Sequence, residues 1–176
     1  MLDVELGFRP EATTSIRIDP TKRLPDLGAA NLYYGDVVQR ARAIPGVKGA
    51  ALSDLLPFGG DRSWGVAGQG QVYPRDQMPQ AFIRLVSDGY FKTMGIRLTA
   101  GRDFTEGDTP DAEPVVVINE MLAHMLWPNA DPIGQFIGHG SSTTSGRRVV
   151  GVVANVRHDA LENGFTGELY FPTSPT

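Results

Sequence analysis

Cysteine is absent from the chain, which removes disulfide staples, thiolate metal sites and cysteine nucleophiles together. Histidine is scarce. His124, His139 and His158 are the only three, and none stands in the H-x-x-x-H or H-E-x-x-H spacing that seeds a zinc site. No apolar run reaches about 18 residues, the length a membrane-crossing helix needs. The opening, Met1 into Asp3 and Glu5, lacks the basic and apolar regions of a leader peptide. Read bare, these features suggest a soluble cytoplasmic protein. Lys and Arg number 16 against 20 Asp and Glu, for a formal net charge of −4. No basic surface therefore argues for nucleic acid or for an anionic membrane. The glycines at 65, 68 and 70 lack dinucleotide-loop spacing, and no G-x-x-x-x-G-K-[ST] stretch exists. Any ATP in this biology is bound by another polypeptide.

What is present reads as interleaved strands and helices. At 176 residues the chain suits one domain or two small subdomains. Residues 13–19 alternate, with Ile16 and Ile18 on one side, which predicts a half-buried strand. Asp26 is placed to cap a helix running to about Ile44, whose stripe is Leu27, Ala30, Tyr34, Val37, Ala41 and Ile44. Pro45-Gly46 ends it, and a short strand over 47–53 would complete a βαβ-like opening. Residues 56–78 are rich in glycine, proline and polar groups, with a weak edge strand at 64–66. A firm strand over 82–86 then leads into a short helix carrying Tyr90, Phe91 and Met94, capped by Ser87 and stopped by Gly95. Residues 101–104 form a turn ending in an aromatic plug, Phe104. The run 115–118 is a buried strand, and Asn119 caps a helix with Leu122, Met125 and Leu126 on its apolar side, ended by Pro128. A short extended piece at 133–137, a Ser/Thr/Gly loop at 141–146, a doubly buried strand at 148–156 and a last strand at 168–171 follow. The class is α+β, close to α/β.

None of the candidate sites has the spacing of a known chemistry. Asp103, Glu106, Asp108, Asp111 and Glu113 offer oxygens for a hard cation, but not in a calcium-loop pattern. They read as a solvated acidic loop. Arg157-His158-Asp159 would suit a base dyad only beside a nucleophile, and neither Ser53 nor Ser87 sits in a G-x-S-x-G elbow. No catalytic, cofactor or metal residue is expected. Trp64, in polar and glycine-rich surroundings, is the one aromatic expected on a contact surface.

Three stretches carry a family likeness: GYFKTMGIRLTAGRDFTEGD, VVVINEMLAHMLWPNADPIGQFI and RRVVGVVANVRHD. With Leu6-Gly7-Phe8-Arg9-Pro10-Glu11 and Pro45-Gly46-Val47, the sequence resembles the MacB-like periplasmic core domain of FtsX-type ABC transporter permeases, particularly the large acidobacterial ones. The likeness runs from about Leu6 to Pro172. It rests on residues of structural type: Gly89, Tyr90, Phe91, Gly95, Gly101, Arg102, Phe104, Asn119, Glu120, Trp127, Pro132 and Gly134.

The resemblance implies a two-lobed periplasmic domain. Residues 12–56 with 146–176 would form a porter-like βαβ subdomain, and 57–145 an inserted sabre-like one. It implies a non-catalytic role, in which ATP hydrolysis by a cytoplasmic ATPase subunit is coupled through transmembrane helices to periplasmic movement. A second permease copy or second periplasmic domain, and a periplasmic adaptor, are the further partners implied. On this reading the chain is a soluble excised loop of an inner-membrane protein, serving efflux, lipoprotein release or an envelope process. A free-standing periplasmic module binding a small ligand or a protein is the alternative.

Overall fold

Two strands far apart in sequence, β2 (Gln80–Val86) and β7 (Gly167–Pro172), lie side by side in parallel, from Ala81 opposite Gly167 to Val86 opposite Pro172. The computed structural model describes residues 6–20, 24–57, 62–74, 76–109, 111–139, 146–157 and 166–173. Around this pair are β1 (Ser63–Gly68), β3 (Leu98–Gly101), β4 (Val115–Asn119), β5 (Phe136–His139) and β6 (Arg147–Val153). The helices are α1 (Leu27–Arg42), α2 (Tyr90–Met94) and α3 (Glu120–Leu126), with a 3-10 turn at Pro10–Ala12. One seven-stranded sheet runs β3-β6-β4-β7-β2-β1-β5. β5 also pairs with the start of β6, Phe136 with Arg148 and Ile137 with Arg147, so the sheet curls back on itself.

Period-two alternation sends side chains to both faces, and both are dry. One face holds Val66, Ile83, Val116, Ile118, Val149, Leu169 and Phe171 against Leu122 and Leu126 of α3. The other holds Val86, Val115, Val117, Val150 and Tyr170 against Tyr90, Phe91 and Met94 of α2, with Phe104. Burying the two leucines of α3 is worth about 1.5–3 kcal/mol each, which outweighs the weak intrinsic stability of a seven-residue helix. In β6 the register slips against β4, Val116 opposing Val149 but Val117 opposing Gly151. This bulge lets Val149 and Val152 reach the α3 face while Val150 and Val153 reach the α2 face.

The mixed α+β architecture agrees with the sequence. Asp26 accepts a hydrogen bond from the Ala29 amide as the cap of α1, and Asn119 does the same for Leu122 in α3. Gly95, at φ +71°, stops α2. Other expectations fail. Residues 13–19 are not a strand, and Ile16 is 79% exposed. The segment 47–53 reaches the sheet only through an isolated bridge from Ser53 to Val86. The βαβ-like opening is therefore not formed: β2 pairs with β7 and β1, and neither segment adds a ladder to it. The stripe on α1 is not core either. Only Val38 of its described residues is fully buried, and Ile44 just beyond it is 56% exposed. The expected weak edge strand at 64–66 is β1, an interior strand between β2 and β5. Gly89, at φ +70°, and not Ser87, precedes the first turn of α2. The strand β3, for which no element was expected, ends at Gly101, where the expected turn begins.

Strands from 57–145 and from 146–176 interleave within the sheet, since β6 and β7 flank β4 on its two sides. The Ser/Thr/Gly stretch 141–145, His158 and Asp159 lie outside the described residues.

Two glycines let β3 and β6 close up. A Cβ on Gly101, whose φ is +69°, would collide with the Val150 carbonyl, and one on Gly151 with the Arg102 carbonyl. In that space the Arg102 amide donates to the Val150 carbonyl at 2.8 Å. Gly134 also has positive φ, +83°, yet nothing lies within 4 Å of its added Cβ. Gly134→Ala is expected to cost about 1–2 kcal/mol, the left-handed backbone term alone, and Gly101→Ala about 3 kcal/mol or more, conformation plus collision. Urea midpoints of the two variants check this. Equal losses would mean the close approach is not what selects glycine at position 101.

Candidate functional site

The most unusual chemistry in the molecule lies inside it. Arg84 is the one charged residue of β2 and Glu168 the one charged residue of β7, and the structure buries both completely. Adjacent parallel strands bring Arg84 Nε within 3.5 Å of Glu168 Oε1. The Tyr170 hydroxyl donates to Glu168 Oε2 at 2.9 Å. Tyr90 of α2 lies close enough for both charges to act on its phenol. Asn119 fastens the neighbouring strand. Its Oδ1 accepts from the amides of Leu122 and Glu168, and its Nδ2 donates to the Thr166 carbonyl at 2.7 Å. Burial pushes the Tyr90 phenol up to about 12. Burial, reinforced by Glu168, pushes Tyr170 well above the ordinary tyrosine value.

At the end of β2 lies a second polar assembly, open to solvent. The Arg42 guanidinium, at the end of α1, donates to the carbonyls of Ala50 and Asp88 and to Asp88 Oδ2 at 3.2 Å. The Ser87 amide donates to the Leu52 carbonyl, and the Leu52 amide donates back to Ser87 Oγ. Asp54 Oδ1 accepts from the Leu85 amide, and its other oxygen pairs with Arg62 at 2.6 Å. Between α1 and this end of the sheet is a cleft of about 420 Å³ whose walls include Val38, Phe104 and Pro172.

The residues singled out from sequence fall in several places. Tyr90, Phe91 and Phe104 pack together on one face, with Phe91 edge-on to Tyr170 at 4.9 Å. Gly89, Gly95, Gly101 and Gly134 all adopt positive φ. Arg102 makes a double hydrogen bond to Asp108, which holds that carboxyl below its usual range. Glu120 opens α3, and Trp127 follows it, partly buried against the α3-face core. The Pro132 carbonyl accepts from the Gln135 amide in the turn before β5. Trp64 is partly buried with its ring 5.8 Å from Phe171. Among the acids of the loop, Asp108 serves Arg102 and Glu113 serves Arg148. No three metal-ligating side chains converge among the described residues. His124 lies exposed in the last turn of α3. Sequence reasoning passed over Arg84 and Glu168. A lone charge inside each apolar strand was the signal available.

Removing one member of this buried pair should be costly. Glu168→Ala is expected to lose about 3–5 kcal/mol, while Arg84→Met with Glu168→Leu recovers most of it. Denaturant titration of the three proteins checks the pattern, and additive losses would contradict it. A pH dependence follows from the tyrosines. Both are held neutral in the folded chain, whereas an unfolded tyrosine ionises near pH 10. The folded state thus binds more protons above that pH. Stability is complete below about pH 10 and falls as pH rises towards the folded values, by about 1.4 kcal/mol per unit for each ring. Tyr90→Phe should reduce this slope in urea midpoints taken between about pH 9 and 11.5; an unchanged slope would remove Tyr90 from the account.

Comparison with known proteins gives this geometry a context. A family model described as the MacB-like periplasmic core domain matches residues 5–175. The chain is 30% identical over 122 residues to the macrolide export ATP-binding/permease protein MacB 2 of Aeromonas hydrophila, covering 68% of this chain and 18% of that protein. It is 32% identical over 92 residues to the MacB protein of Aggregatibacter actinomycetemcomitans, covering 51% and 13%. The chain thus spans less than a fifth of the length of these relatives. Its fold resembles the periplasmic region of MacB from Actinobacillus actinomycetemcomitans, with TM-score 0.54, 19% identity, and coverage of 80% of this chain and 55% of that one. It also resembles the extracellular domain of the transporter YknZ from Gram-positive bacteria, with TM-score 0.51, 17% identity and coverage of 78% and 61%. No helix among the described residues is long and apolar enough to cross a membrane. The chain belongs to the MacB-like periplasmic core domain family.

Proposed function

We propose that this chain works as the extracytoplasmic part of an ABC transporter permease and transmits movement without performing chemistry. The observation that carries the reading is the family match over residues 5–175. Two dry sheet faces and a curled, hydrogen-bonded sheet make a body stiff enough to pass on a displacement, as close-packed interiors do. In this reading a cytoplasmic ATPase subunit hydrolyses ATP, and membrane helices outside this chain carry the resulting motion. A second permease copy or second periplasmic domain receives it, with a periplasmic adaptor as a further partner. Movement serves efflux, lipoprotein release or another envelope process. The exposed part of Trp64 is a candidate contact with such a neighbour.

This chain has no cysteine of its own, so a single label reports on it once any cysteines elsewhere in the permease are replaced. Asn129, exposed after α3, is replaced by cysteine in the full-length permease, spin-labelled, and assembled with its ATPase in lipid. The label-to-label distance between two copies is expected to shift between the nucleotide-free and ATP-trapped states. Identical distance distributions in a preparation that hydrolyses ATP would overturn the proposal.

A further inference from the structure

Among the described residues, α1 is held to the sheet differently from the other two α-helices. α2 and α3 meet it through apolar side chains on its two faces. Of the described residues of α1, only Val38 is fully buried, and Leu32 is 63% exposed. What joins the segment 24–57 to the sheet is mainly polar and gathered at one end of β2, with Ala51 as its apolar contact to the α2-face core. Arg42 bonds to Ala50 and Asp88, Ser87 and Leu52 exchange hydrogen bonds, Asp54 caps Leu85, and Ser53 bridges to Val86. The Arg42–Asp88 pair is partly open to solvent. Beyond these attachments the cleft of about 420 Å³ separates α1 from Phe104 and Pro172.

Apolar contacts and polar contacts hold an element differently. Separating apolar faces exposes area in proportion to their size. Partly solvated hydrogen bonds exchange for water with little net loss. An element fixed by a few such bonds at one end opens without disturbing the sheet, as subglobal unfolding units do.

We infer that residues 24–57 form a hinged arm that leaves the sheet as a unit. Its hinge is the polar cluster of Arg42, Asp88, Ser87, Leu52 and Asp54, and its travel is the cleft beneath α1. In a domain that transmits movement, this arm is the element whose position changes. That use rests on the transport reading, but the arm's existence does not.

Native-state hydrogen exchange on this chain tests it. Amides of α1 are expected to be protected, yet to exchange at least about 100-fold faster than those of β4 and β7, because their opening is local. Asp88→Ala, outside the helix, should accelerate α1 by about tenfold and leave β4 and β7 unchanged, the effect of losing roughly one hydrogen bond to a charged group. Arg42→Ala should do the same even though alanine favours helix, which excludes helix propensity as the cause. The inference is overturned if α1 and β4 exchange at one rate, or if α1 is unprotected. It is equally overturned if Asp88→Ala leaves α1 unchanged, accelerates all elements together or abolishes folding. Uniform exchange would leave the transport reading intact. An unmoving label pair in the permease would leave the arm intact.

Discussion

The parallel pairing of β2 with β7 is the constraint on which the rest depends. It joins residues more than 80 positions apart along the chain, Ala81 with Gly167 at one end and Val86 with Pro172 at the other. It also brings Arg84 beside Glu168, both wholly buried. A fully buried ion pair adds little net stability compared with apolar packing, but breaking it is severe. Its physical effect is selective: a slip of β7 by one residue would send Glu168 to the α3 face among leucines and valines. The charges thus fix the register that the apolar residues alone would leave looser. Asn119 extends the same control to β4 and α3 by accepting from the Glu168 amide.

Two kinds of attachment follow from that centre. Everything on the two sheet faces is held by buried apolar area, with glycines admitting close backbone contact where β3 meets β6. The segment carrying α1 is held mainly by polar bonds at the end of β2, some of them partly open to solvent. Under the proposed transport role, such a contrast would give a stiff body one internal joint. The Tyr90 phenol sits where the two regimes touch, near the buried pair.

Local determinants were legible in the sequence, and nonlocal ones were not. Asp26 and Asn119 as caps, and Gly95 as a stop, declare themselves through short-range hydrogen bonding and backbone conformation. Continuous apolar runs announced β4, β6 and most of β2. Alternation at 13–19 promised a strand, but alternation alone supplies no partner, and this segment joins no ladder of the sheet. β1 looked marginal because glycines interrupt it, and its neighbours β2 and β5 supply the ladder it needs. The family-motif residues proved to be turns, plugs and caps. The buried pair required a partner 84 positions distant, from Arg84 to Glu168, and nothing local to either strand identifies it.

Because β6 and β7 share one sheet with the strands of 57–145, we propose that those strands need them in order to fold. Residues 57–145 expressed alone test it most directly. Without β6 and β7, the valines of β4 lose both neighbouring strands, so a poorly dispersed amide spectrum and no cooperative urea transition are expected. A dispersed spectrum with a sharp transition would show that this segment folds as an inserted subdomain of its own, and would contradict the account.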